Sequence, residues 1–175
     1  MKNTNKITLC ALLAALAVVL MLTAYFPYLT YAVPAFAGLC IMAVLIEIGP
    51  KWAFLSYTTS AVLTLILCEP EAMLMYVFLF GHYPILKAII ERINKPIIEW
   101  PIKMLVLNAV VIFVYTFIAK LFGIDMSDMG DFGKYTNLIL LIFANAVFVV
   151  YDITVSKMSW FYIEKIHPKI KKIFK

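Results

Sequence analysis

Apolar residues run along the chain in six long blocks, about 7–26, 31–48, 52–68, 72–91, 102–122 and 135–156, with the polar and turn-forming residues gathered between them. The punctuation is Pro27-Tyr28, Gly49-Pro50-Lys51, Glu69-Pro70-Glu71, the polar stretch from Glu91 to Lys103, and an acidic segment from Asp125 to Lys134. Proline and glycine at such points end helices or turn the chain. Apolar blocks of about 17–25 residues are long enough to cross a hydrocarbon layer of about 30 Å as helices rising about 1.5 Å per residue. The pattern predicts an all-α integral membrane protein: a compact six-transmembrane-helix bundle, one domain over residues 1–175.

Composition supports that reading. The 175 residues are 65% hydrophobic and only 14% charged, whereas a soluble domain is about 45–50% apolar and about 25% charged. A chain this short has no interior large enough to hide that surface from water. The basic start, Lys2 and Lys6, resembles that of a secretion signal. The run from Ile7 to Phe26 nevertheless has spanning length rather than the roughly 7–15 residues of a signal core, so a retained helix is expected.

Charge sets an expected orientation. With both termini cytoplasmic, thirteen of the fifteen Lys and Arg residues fall on the inner side and only Lys120 and Lys134 on the outer one, as the positive-inside rule requires. Glu69, Glu71, Asp125, Asp128 and Asp131 then lie outside. An odd number of spans would scatter the basic residues over both faces. The net charge of +5 calls for no nucleic acid. The basic C-terminal run from Lys165 to Lys175 is expected against anionic headgroups, each cation gaining about 1 kcal/mol near the surface. Cys10, Cys40 and Cys68 are isolated, without a CxxC spacing, and read as small buried hydrophobes.

The first block is rich in alanine: "LCALLAALAVVL", Leu9 to Leu20, holds Ala11, Ala14, Ala15 and Ala17. In lipid a leucine gains little by moving into a helix interface, but a small side chain lets two backbones approach closely. Ala11 and Ala15 are one turn apart, and Ala14, Ala17 and Val18 are expected to continue the same smooth side.

With its short basic start, "KITLCALLAAL" opening the first helix, six spans in about 175 residues and a proline near the end of the first hairpin, the chain resembles the substrate-binding S component of energy-coupling factor (ECF) vitamin transporters. The resemblance implies that the alanine-x-x-x-alanine pair, here Ala11 and Ala15, docks a transmembrane coupling subunit. It also implies capture of a vitamin-like small molecule at the outer face and toppling within the membrane to deliver it. No Walker-type G-x-x-x-x-G-K-[ST] run occurs, so energy is expected from separate ATPase subunits. No cofactor is expected, and the implied location is a bacterial plasma membrane.

Polar groups inside a bundle are expensive and mark candidate sites. Tyr31, Thr64, Tyr76, Tyr115, Thr116, Tyr135 and Asn137 fall near the outer halves of their blocks and could converge on a small ligand, although tyrosines also populate interfacial belts. In "FGHYPILK", Pro84 is expected to kink the fourth span, with Gly81 and His82 beside the break. Asn108 and Asn145 lie at mid-depth and can bond across helices. The candidate substrate-binding set is therefore Tyr31, Thr64, Tyr76, His82, Tyr115, Asn137 and Asn145. Asp152 is expected to pair with Lys87 or Lys103, and Glu47 with Lys51. An enzyme is not expected, since there is no H-E-x-x-H pair, no G-x-S-x-G elbow and no metal-ligand spacing. The alternative is a six-span structural scaffold resembling cell-shape machinery. It would use the same small-residue faces but need no ligand chamber.

Overall fold

The computed structural model describes residues 3–26, 28–114 and 136–173, the last stretch without the side chains of 136–138, 140 and 173. Every regular element among the described residues is helical. Helix α1 spans Asn3–Leu22 and closes in a 3-10 turn, Thr23–Tyr25. Helix α2, Val33–Glu47, is followed by Gly49, which adopts φ +111 and hands the chain to Pro50 at the first turn of α3, Pro50–Leu67. That positive φ is a glycine conformation, and proline's fixed φ suits the first turn it occupies.

Next come α4, Pro70–Met75, a π-helical turn, Tyr76–Phe80, and α5, Tyr83–Ile90. The break in this segment falls at Gly81-His82, directly after the π turn. Pro84 therefore sits in the first turn of α5, where its missing N–H costs nothing, rather than kinking a continuous helix. A 3-10 turn, Glu91–Ile93, leads to α6, Pro96–Phe113. This helix begins before the expected residue 102 because Pro96 opens it and the Glu99 carboxylate accepts the Lys95 N–H at 2.9 Å. Helix α7, Thr136–Phe161, runs into a second π turn, Tyr162–Ile166, and then α8, His167–Ile173.

Among the described residues four helical stretches are long and apolar enough to cross a membrane: Asn3–Tyr25, Pro70–Ile93, Pro96–Phe113 and Leu141–Lys172. That is the signature of a multi-pass membrane protein. The second and third apolar blocks appear as helices outside this group. Helix α2 has only 15 residues, while α3, with 18, is diluted by Lys51 and by the hydroxyl run from Ser56 to Ser60.

The chain divides into two compact units, Met1–Ala88 with Thr154–Lys175, and Ile89–Ile153. In the first, α1, α2 and α3 pack against one another, and α2 also meets α4 and the π turn. Its core includes Cys10, Ile41, Val44, Ala53 and Ile85, flanked by Leu13, Trp52 and Tyr57. Cys40 and Cys68 are buried too, and all three cysteines are free. Helix α1 divides its small residues between two sides. Ala14, Ala17 and Val18 face inward, whereas Ala11 and Ala15 are exposed beside Leu12, Leu16 and Val19. The second unit buries Leu107, Phe148 and Tyr151 together with two charged residues, Lys103 and Asp152.

Candidate functional site

Ser56, Ser60 and Thr64 recur every fourth residue on α3 and so share one helix face. All three are buried. A hydroxyl inside a helix can bond the carbonyl three or four residues back, and two of the three do: Ser60 donates to the Tyr57 carbonyl and Thr64 to that of Ala61, each at 2.9 Å. Because the Ser60 proton is committed there, the contact of 2.6 Å between Ser60 Oγ and Tyr76 Oη is a bond donated by the tyrosine. Tyr76 is fully enclosed, so this bond provides for a phenol that water does not reach.

The π turn supplies the second half of the cluster. In an α-helix the Gly81 N–H would bond the Val77 carbonyl; here it bonds Tyr76 O at 2.8 Å. The Val77 carbonyl, left out of the ladder, accepts the Tyr57 hydroxyl at 2.6 Å. Gly81 makes the close approach possible, since a Cβ there would lie 2.7 Å from the Tyr76 carbonyl oxygen and 2.9 Å from the Tyr57 ring. Tyr57 stands at the centre of the group. Its ring meets His82 at 5.8 Å, Phe54 at 6.1 Å and Tyr76 at 6.2 Å between centroids, all in tilted geometry. The His82 carbonyl accepts the N–H groups of Ile85 and Leu86 at 3.1 Å and so opens α5.

Two polar atoms in this region are enclosed with no hydrogen-bond partner among the described residues: Ser56 Oγ and His82 Nδ1. The cluster as a whole consists of hydroxyl, phenol and imidazole groups. It offers hydrogen bonds and aromatic faces. Among the described residues no group of three His, Cys, Asp or Glu could hold a metal.

The remaining sequence candidates fall elsewhere. Tyr31, exposed in the turn before α2, donates to Glu71 Oε2 at 3.2 Å, and Tyr25 donates to the Leu67 carbonyl at 3.1 Å. The two tyrosines thus grip the α3–α4 turn on either side of Glu69. In the second unit Asn145 and Asn108 exchange amide bonds at 2.8 and 3.3 Å, and Asn145 also donates to Leu141 O at 2.7 Å. Both amides are thereby supplied by the protein itself. Tyr115, Thr116, Tyr135 and the acidic 125–134 segment lie outside the described residues, as does the Asn137 side chain. Thr64, Tyr76 and His82 belong to α3 and to the α4–α5 segment, which pack in the first unit. Tyr57, Ser56 and Ser60 complete that site, and the four-residue spacing of hydroxyls on α3 was the sequence signal for two of them.

The buried charges are paired. Lys103 Nζ lies 3.1 Å from Asp152 Oδ1 and 2.8 Å from Glu91 Oε1, and 5.5 Å from the Trp100 ring centre. The Lys103–Asp152 pair is the expected one. Glu47, in contrast, meets His167 Nδ1 at 3.1 Å, while Lys51 is exposed. The expected Glu47–Lys51 pair across the Gly49-Pro50 turn gives way to this contact with His167.

No protein-family model, curated protein or solved structure matches this chain.

Proposed function

We propose that this chain is the substrate-binding membrane subunit of an ECF-type importer, with both termini cytoplasmic and six membrane segments. In this reading it captures a vitamin-like small molecule and presents α1 to a transmembrane coupling subunit driven by ATPases. The observation that carries the reading is the division of α1. Ala14, Ala17 and Val18 serve the chain's own packing, and the Ala11–Ala15 pair remains outward. A methyl-lined stripe beside Leu12 and Leu16 offers close backbone approach without polar bonds, which suits a partner that must grip and release. The hydroxyl, phenol and imidazole cluster of α3 and the π turn supplies the polar groups for a neutral part of the solute.

The test combines partner capture and small-molecule analysis. Full-length tagged protein purified from its native membrane should co-elute with an ATPase-containing module and with a small molecule identifiable by mass spectrometry. Ala11→Trp with Ala15→Trp should remove the module and leave the small molecule. Assembly unchanged by the two tryptophans refutes the docking role. A preparation that keeps protein partners but never carries a solute favours the scaffold alternative.

A further inference from the structure

The C-terminal helical segment carries a feature that neither solute capture nor docking on α1 uses. From Lys157 to Lys172 it holds five lysines, 157, 165, 169, 171 and 172, against one carboxylate, Glu164. All six residues are exposed. In an uninterrupted α-helix Lys157 and Lys165 would point about 80° apart, because eight residues overshoot two turns. The π turn at Tyr162–Ile166 takes up the extra residue, bringing Lys157, Lys165, Lys169 and Lys172 onto one stripe.

The opposite side of the segment explains why the π turn is there. Its characteristic bond runs from the His167 N–H to Tyr162 O, which stacks those two side chains one above the other. Both then face one carboxylate: His167 Nδ1 lies 3.1 Å from Glu47 Oε1, and the buried Tyr162 phenol lies against the same Glu47. Ser159, on the same side, reaches Met42 Sδ at 2.9 Å. Helix α2 therefore clasps the inner face and turns the lysine stripe outward. Beside the stripe stand two exposed aromatic residues, Trp160 and Phe161, with Trp160 68% exposed.

We infer that this stripe binds the anionic headgroups of phospholipids, with Trp160 and Phe161 seated at the headgroup boundary. Lysines interleaved with aromatic side chains match a surface that is negative and wet on one side and apolar on the other. The stripe is the C-terminal half of a helical stretch of spanning length, Leu141–Lys172, whose uncharged apolar part precedes Lys157 apart from Asp152, so the lysines stand at the end of that stretch, where the membrane interface lies. Four aligned cations act together on a fluid anionic surface, each contributing a modest attraction that falls off over a Debye length.

The experiment is a lipid titration of the full chain in detergent, with bound lipids counted by native mass spectrometry. Phosphatidylglycerol is compared with phosphatidylcholine of the same acyl chains. Wild-type protein should retain phosphatidylglycerol at least about tenfold better, and raised salt should erase the difference. Replacing Lys157, Lys165, Lys169 and Lys172 together by Gln should bring the two lipids to near parity, and replacing all four by Arg should restore the preference. Equal retention of both lipids by wild-type protein overturns the inference and leaves the stripe to a protein partner. A preference that survives the Gln replacements overturns it equally. If the Gln variant fails to fold, the Arg variant and the salt dependence of the wild type decide: a salt-insensitive preference, or one lost in the Arg variant, refutes lipid binding through charge.

Discussion

Gly81→Ala is the sharpest probe of the α3–π-turn cluster. The added Cβ would lie 2.7 Å from Tyr76 O and 2.9 and 3.0 Å from Tyr57 Cε2 and Cδ2. Ordinary carbon contacts are about 3.5–4.0 Å, so the methyl intrudes by roughly 0.5–1 Å. The Tyr57 ring can swing away only by giving up its bond to Val77 O, and the Tyr76 carbonyl is backbone that cannot move without undoing the π turn. Overpacking of this kind costs about 1–3 kcal/mol, and losing the Tyr57 bond to the part-buried Val77 carbonyl, which the His82 side chain also contacts, adds about 0.5–1.5 kcal/mol. The loss of glycine's freedom in the unfolded chain returns about 0.4–1 kcal/mol. The net destabilisation expected is about 0.5–4 kcal/mol, or roughly 1–16 °C in melting temperature at about 2–4 °C per kcal/mol for a chain of this size. Thermal unfolding of purified full-length protein in one detergent, followed by intrinsic fluorescence, reads it directly. In a Tyr57→Leu background the ring contacts are gone, so the cost of Gly81→Ala should shrink while the carbonyl contact keeps it above zero. A variant that melts within about 1 °C of wild type, or an equal cost in both backgrounds, refutes the geometry.

Two further variants test the second unit. Lys103→Met removes a buried cation from Asp152 and should destabilise by about 3–5 kcal/mol. Glu91→Gln should cost under about 1 kcal/mol, because that carboxylate side chain is 41% exposed and such pairs are screened by solvent; chemical denaturation in mixed micelles ranks the two, and equal losses would show that exposure does not govern the network. For the reciprocal amides, an Asn108→Ala and Asn145→Ala double-mutant cycle should give a coupling of about 0.6–1.7 kcal/mol, the range found for interhelical side-chain bonds in a membrane protein. A coupling near zero would mean that each amide finds a substitute partner at no cost.

How much of this was legible in the sequence depended on whether local chemistry had one solution. The buried Asp152 needed a cation, and Lys103 was one of two in reach, so the pair could be read. Glu47 had an obvious neighbour in Lys51 across the Gly49-Pro50 turn, but its partner is His167, 120 residues further along the chain, which no local spacing marks. The polar stretch from Glu91 to Lys103 made the start of α6 look like a loop, and Pro84 looked like a kink although it sits where a helix accepts proline. The run "FGHYPILK" announced an interruption but not its type, because a π turn depends on what its spare carbonyl can bond, here the hydroxyl of Tyr57 from another helix. Alanine spacing on α1 marked a surface for close packing without saying which side faces the chain's own helices, since a methyl is tolerated in either setting.

The polar face of α3 bears on the choice between a solute carrier and an inert scaffold. A helix carrying Ser56, Tyr57, Thr58, Thr59 and Ser60 in succession loses apolar character that a purely structural span would keep. Most of these hydroxyls offset the loss locally, Thr58 and Thr59 by bonding Phe54 O and Leu55 O at 2.9 Å, Ser60 and Tyr57 through the π-turn cluster. Ser56 Oγ and His82 Nδ1 do not. Each enclosed polar atom without a partner costs about 1–3 kcal/mol, so the two together consume a sizeable part of a total stability of about 5–15 kcal/mol. Alanine and leucine at those positions would remove the cost from a scaffold. In a carrier the same cost is offset when a solute entering at the π turn supplies the missing donors and acceptors, and the destabilised apo site becomes part of its affinity.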